Sequence, residues 1–191
     1  MSALILASNS PRRREILTDL GYEFSVCPSL FEERAEGLSA RDTVAAFARG
    51  KAAEVFSRDP NSVVLGADTV VAYGEEILGK PKSEEDAKRM LRLLSGKTHS
   101  VYTGVCVVSA KGVRETVVET LVTFNELAEE TINGYVNSGL PMDKAGAYGI
   151  QDGFPLVKEI KGSYTNVVGL PAEETQALLS AVEGIHVETC D

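Results

Sequence analysis

Ser8-Asn9-Ser10-Pro11-Arg12-Arg13-Arg14 lies between a short apolar run, Ala3–Ala7, and the start of a helix. A helix N-terminus after a strand presents unpaired N–H groups and the positive end of the helix dipole, which together favour an anion. Guanidiniums in that first turn oppose the dipole unless something anionic compensates, and their forked donors suit phosphate oxygens. Asp68, in Gly66-Ala67-Asp68-Thr69, closes the buried-strand pattern Ser62–Ala67. A carboxylate there is costly to bury unless it binds a metal, pairs with a cation or takes a proton, and ligands of open α/β sheets sit beyond strand ends. In Gly79-Lys80-Pro81 the proline biases Lys80 to an extended backbone, which fixes where its ammonium points. Lys51 is a further cation. In Asp143–Gln151 (DKAGAYGIQ) small residues allow close backbone approach to a ligand, Lys144 adds charge, and Gln151 carries a donor and an acceptor, as a pyrimidine edge does. Glu32-Glu33 offers a second carboxylate for a divalent metal. His99 reads as structural or surface. Residue types alone thus point to a phosphorylated small molecule and Mg²⁺, and leave the reaction unspecified.

The elements that must hold these groups follow from local signals. Ala3–Ala7 reads as a buried strand. Ser10 caps a helix over Pro11–Leu20, Pro11 taking its first position and Gly21 ending it. Tyr22–Cys27 reads as a strand, and Ser39 with Asp42 makes a capping box for a helix over Arg41–Phe56. Ser62–Ala67 and Thr69–Tyr73 are extended up to a turn at Gly74-Glu75. A helix capped by Ser83 runs to Leu94. Val101–Val108 and Val113–Phe124 are long strands around Lys111-Gly112, Glu129–Asn137 is a short helix, and Phe154–Ile160 with Tyr164–Val168 forms a hairpin. Pro171 opens a last helix to Ala181, and His186 and Cys190 fall in a tail expected to fray. Alternating strands and helices with inserted hairpins give an α/β class with a mixed sheet.

Composition narrows the class of function. The 191 residues are 43% hydrophobic, with no linker or repeat, and read as a single domain over 1–191. The 28 acidic against 19 basic side chains give a net charge of −9, which argues against nucleic-acid or membrane-surface binding. Three widely spaced cysteines and two histidines form no disulfide framework and no Cys- or His-rich metal site. Ala3–Ala7 is too short for a signal peptide core, and a cytoplasmic protein is expected.

SxSPRR (Ser8–Arg13), GADTVV (Gly66–Val71), GKP (Gly79–Pro81), LSGxxHxVxTG (Leu94–Gly104), DKAGAYGIQ (Asp143–Gln151) and GLP (Gly169–Pro171) run in order from Ala3 to Leu179. This set closely resembles the Maf family, also called septum-formation inhibitor proteins, which are nucleoside triphosphate pyrophosphatases. The YGIQ form is similar to the dTTP/UTP branch. The resemblance implies an α/β fold with an elongated central mixed sheet flanked by helices and a cleft between two lobes, similar to the inosine-triphosphate pyrophosphatase fold. It also implies a homodimer. The implied reaction converts dTTP, UTP or modified pyrimidine triphosphates to the monophosphate and pyrophosphate with Mg²⁺ or Mn²⁺. By the same resemblance Asp68 is the catalytic acidic residue, and Arg12, Thr69 and Gln151 match positions that select substrate. Ser8, Arg13, Glu33, Lys51, Lys80 and Lys144 match polar residues of the same cleft, and Ser8, Arg12, Arg13, Lys51, Lys80 and Lys144 are expected to bind phosphate there. Two departures stand out: Arg14 extends the arginine pair, and Asp152 follows Gln151 where a glycine is common, adding negative charge beside the base-reading loop.

That assignment agrees with elementary chemistry. Cations can clamp a triphosphate while charge moves onto leaving pyrophosphate. The attacking water needs orientation and a proton acceptor, and Asp68 suits two roles, base or ligand of the metal that acidifies the water. Metal binding by Asp68 and Glu33 is preferred, with Asp68 able to do both. Gln151 would hydrogen-bond the carbonyl and imide N–H of uracil or thymine. Two rivals exist: a cell-division regulator acting through a bound partner, and a sensor that holds UTP without turnover.

Overall fold

Leu4–Leu6 (β1) is buried at every position and pairs in parallel with Val63–Tyr73 (β3), in register from Leu4 opposite Val63 to Leu6 opposite Leu65. Its other edge carries Ser25–Val26 (β2), also parallel. Continuous apolar runs of this kind suit a sheet covered on both faces. β3 passes through Asp68 and Thr69 to Tyr73, turns at Gly74, whose φ is +60°, and returns antiparallel as Glu76–Leu78 (β4). Thr98–Ser109 (β5), Gly112–Phe124 (β6) and Val157–Lys161 (β7) complete a seven-stranded mixed sheet ordered β2-β1-β3-β5-β6-β7, with β4 on β3. The α/β expectation is borne out.

In this computed structural model residues 3–34 and 36–182 are described; His186 and Cys190 lie outside them. The expected caps form. Ser10 Oγ accepts from Arg13 N at the start of α1 (Pro11–Asp19). Ser39 Oγ accepts from Asp42 N at 3.1 Å to open α2 (Ala40–Arg58), and Ser83 Oγ does the same with Asp86 N for α3 (Glu84–Leu94). The remaining helices are α4 (Glu129–Asn137), α5 (Tyr164–Val168) and α6 (Ala172–Ser180), with short 3₁₀ turns at Leu140–Asp143 and Ala145–Ala147. Two compact units result: unit one holds the residues up to Asp68, Thr103–Val118 and those from Gly169 onward, and unit two holds Thr69–Tyr102 and Glu119–Val168. Unit one has a core in which Ala48, Ala52 and Val55 of α2 meet Val64, Cys106 and Ile5; unit two is built on Leu91, Leu94, Phe124, Ile132 and Tyr135.

Three expectations need correction. The second strand is not Tyr22–Cys27 but the two exposed residues of β2, because Tyr22 turns inward at the end of α1 and Glu23 faces solvent. Tyr164–Val168 is a helix rather than a hairpin arm. Ser163 Oγ accepts from Asn166 N at 3.1 Å, and buried Asn166 donates from Nδ2 to Val101 O and Thr120 Oγ1, so bonds that depend mostly on distant strands outweigh the β-branched composition. Asp68 does not close a strand; it lies in the middle of the eleven-residue β3.

Candidate active site

Unit one places a lysine beside a buried carboxylate by pressing a helix onto a strand. A Cβ on Gly66 of β3 would stand 2.4 Å from Ala48 O and 2.8 Å from Ala52 N, and one on Gly104 of β5 would stand 2.3 Å from Val44 O. α2 therefore rests on glycine backbone at both strands. Inside α2, Gly50 makes room for Phe31, whose ring would meet a Cβ there at 2.4 Å and which packs edge-on to Phe47. Glu54 holds the same segment, since its Oε2 accepts from Ser29 Oγ and Leu30 N, both at 2.9 Å. Phe31 and Glu54 thus pin the stretch that carries Glu33 next to Lys51.

The result is a compact charge cluster. Lys51 Nζ lies 2.7 Å from Asp68 Oδ1 and 2.6 Å from Glu33 Oε1; Asp68 is buried while Glu33 is half exposed. Burial raises the Asp68 carboxyl above its ordinary value, against the pull of Lys51 and Arg13. Arg13 Nη1 donates to Ala67 O at 2.8 Å and to Ser8 Oγ at 3.2 Å, and its Nε donates to Gly169 O at 2.8 Å. Burial lowers the Arg13 pKa, Asp68 opposes that shift, and the adjacent Arg12 adds to it. So Ser8, Arg12, Arg13, Glu33, Lys51 and Asp68 are gathered in unit one. The contrary charges expected at the α1 N-terminus are answered there in part by carbonyl oxygens and Asp68.

Unit two holds Thr69, Lys80, Lys144 and Gln151. Lys80 and Gln151 are exposed. Gly146, with φ +68°, donates its N–H to Gly79 O at 3.0 Å, which ties the Lys80 turn to the Ala145–Gln151 loop. Lys144, expected at phosphate, is buried, and its Nζ is 3.0 Å from Asp143 Oδ1 and 3.4 Å from Asp152 Oδ2. Asp152, rather than adding free negative charge, also accepts from the Tyr135 hydroxyl at 2.6 Å. His99 is buried, with Nε2 2.7 Å from Tyr148 Oη, and lies edge-on to the rings of Phe124 and Tyr148. Sequence reasoning passed over Gly50, Phe31 and Tyr135. An isolated glycine inside the α2 pattern was the available signal for the first; nothing in Tyr135's surroundings distinguishes it from a core aromatic.

Among the described residues no group of three or more His, Cys, Asp or Glu side chains is placed to hold a metal ion. Asp68 and Glu33 nevertheless converge on one cation. A Mg²⁺ ion arriving on a triphosphate draws one or two carboxylates from the protein and fills its shell with phosphate oxygens and water. The donor chemistry fits such an ion. No helix is long and apolar enough to cross a membrane among the described residues.

Comparison with known proteins supplies a context for this cluster. The family described as Maf-like protein matches residues 3–182. A relative from Anaeromyxobacter dehalogenans (strain 2CP-C), named dTTP/UTP pyrophosphatase, is 53% identical over 182 residues, covering 92% of each chain. Relatives bearing the same name from Salmonella typhimurium and Geobacillus sp. (strain WCH70) are each 49% identical. They cover 94% and 92% of this chain, and 93% and 95% of their own.

Proposed function

The chain belongs to the Maf family, and from that premise we propose that it hydrolyses dTTP and UTP to the nucleoside monophosphate and pyrophosphate. One observation carries the reading: Lys51 bridges the buried Asp68 and Glu33, with Arg13 anchored on the carbonyl next to Asp68. Acidic and cationic groups so fixed suit an attack by water on a phosphorus whose leaving group gains charge.

In this mechanism Asp68 receives the water proton as the oxygen bonds to the α-phosphorus. The bond from that phosphorus to the bridging oxygen breaks, and pyrophosphate leaves with the electron pair. Lys51 orients the Asp68 carboxylate and stabilises its charged form, which burial disfavours. Arg12 and Arg13, with Ser8 and Lys80, bind phosphate oxygens. Lys144 serves the loop that carries Gln151. Gln151 reads the uracil or thymine edge, with Thr69 and Arg12 as further selecting positions. Asp68 and Glu33 would hold a divalent cation, Mg²⁺ or Mn²⁺, whose chemistry there is to neutralise phosphate charge and acidify water. The working form is a cytoplasmic homodimer that takes free nucleotide, the dimer supported by the family resemblance, with neither nucleic acid nor membrane as partner, which the net charge of −9 supports.

Hydrolysis of UTP in H₂¹⁸O tests the bond cleaved. The label is expected in UMP, with none in pyrophosphate. Label in pyrophosphate, or UDP and phosphate as products, would overturn the proposed attack at the α-phosphorus.

A further inference from the structure

Gln151 projects from a turn without regular secondary structure, so an amide that discriminates between bases must be held by something other than a ladder of backbone bonds. The bonds that hold this turn form a closed circuit around it. The Tyr135 oxygen accepts from Gly149 N at 2.8 Å, and the Tyr135 hydroxyl donates to Asp152 Oδ2 at 2.6 Å. Asp152 N donates back to Gly149 O at 3.3 Å. Gln151 lies within that circuit, one residue from Asp152 and two from Gly149.

The circuit is buried and braced. Tyr135 is 0% exposed on α4 and its ring packs on Phe154 at a centroid distance of 4.7 Å. Side chains of Lys144 and Asp152 are 9% and 11% exposed. A Cβ on Gly149 would stand 2.7 Å from Lys144 Cε and 2.8 Å from Asp152 Oδ2, so the turn is packed tightly onto the pair. Burial and the Asp152 carboxylate push the Tyr135 phenol up, which keeps it protonated and donating. Tyr135, Lys144, Gly149 and Asp152 all belong to unit two, whereas Lys51, Asp68 and Arg13 belong to unit one.

We propose that Tyr135 and Asp152, braced by Lys144, are positioning residues for base selection, holding the Gly149–Asp152 turn so that the Gln151 amide is presented in one orientation. The inference rests on the reading of Gln151 given above and adds residues that the reading does not use. A loosened turn costs the amide its pre-ordered geometry, which weakens recognition of the right base more than the chemical step.

The test is kcat and KM for UTP and CTP in Tyr135→Phe, Asp152→Ala, Asp152→Asn and Gln151→Ala, each with a thermal melt. Tyr135→Phe keeps the ring and removes one hydroxyl. For Tyr135→Phe and Asp152→Ala, KM for UTP is expected to rise about tenfold, with kcat within about threefold of wild type. The UTP-over-CTP preference falls in step with KM. The double variant Tyr135→Phe/Asp152→Ala should lose little more than either single one, because both break the same link. Asp152→Asn, which keeps an oxygen for the phenol, should recover most of the lost preference. Clamp variants with a lowered melting temperature but unchanged KM and base preference, while Gln151→Ala loses the preference, would overturn the positioning role. An unchanged preference in Gln151→Ala itself would remove the underlying reading of that residue, and this inference with it.

Discussion

At the residue scale the buried charges are answered in pairs. Asp68 has Lys51, Lys144 has Asp143 and Asp152, and the Arg13 guanidinium has the carbonyls of Ala67 and Gly169. The sequence marked Asp68 because a charge at the end of an apolar run is expensive without a partner; Lys51 and Lys144 became candidates through the family resemblance. It did not show which partners they choose: Asp68 takes a lysine seventeen residues away on α2, and Lys144 is shared between its neighbour Asp143 and Asp152. His99 is answered on one side only: among the described residues its Nδ1 has no hydrogen-bond partner, and burial lowers its pKa from 6.5 to about 4. The folded protein therefore keeps this imidazole neutral where the unfolded chain takes a proton. With more protons bound in the unfolded state, stability rises with pH through that window and is lost as pH falls from about 6.5 to 4. The full loss attributable to His99, reached once pH is below the folded-state value, is roughly 3 kcal/mol, each pKa unit being about 1.4 kcal/mol. Urea unfolding at pH 7, 5.5 and 4.5 should show wild type losing stability faster than His99→Gln; equal slopes would contradict the assignment.

At the scale of elements, glycine decides where α2 can lie. The contacts at Gly66 are with backbone atoms of α2, which cannot swing aside. Gly66→Ala should therefore cost roughly 1–3 kcal/mol or more. It should also lower kcat by about tenfold or more, because the helix that must shift carries Lys51, and small displacements of positioned groups are expensive in rate. Gly134 is the control. It sits in α4 with open space at its Cβ, so Gly134→Ala should stabilise by about 0.5–1 kcal/mol. Denaturant midpoints and steady-state rates for the two variants check both statements, and a Gly66→Ala enzyme of normal stability would refute the packing account. Helix caps at Ser10, Ser39 and Ser83 were readable because capping is a local affair. The misread segment Tyr164–Val168 failed for the complementary reason: its composition favours a strand, while the bonds of Asn166 to Val101 and Thr120 depend on distant chain.

At the scale of the molecule, the α/β class with a mixed sheet followed from apolar runs alternating with capped helices, but the number of strands, seven, did not. The order of strands did not, because β1 between β2 and β3 is a matter of crossovers that periodicity does not encode. Net charge of −9 likewise forecasts the balance of the surface but not the cluster of Arg12, Arg13 and Lys51, which works against the global field. If that cluster is hydrolytic machinery around Asp68, rather than a mere docking place for nucleotide, pyrophosphate release must depend on the Asp68 carboxylate. Pyrophosphate release from a panel of nucleoside triphosphates, with Mg²⁺, Mn²⁺ or EDTA, for wild type and Asp68→Ala, tests this most directly. Metal-dependent release from dTTP and UTP, suppressed by EDTA and reduced by a factor of about 10³ or more in Asp68→Ala, is the predicted result. Silence across the panel from folded wild-type protein, or undiminished release from Asp68→Ala, would contradict it.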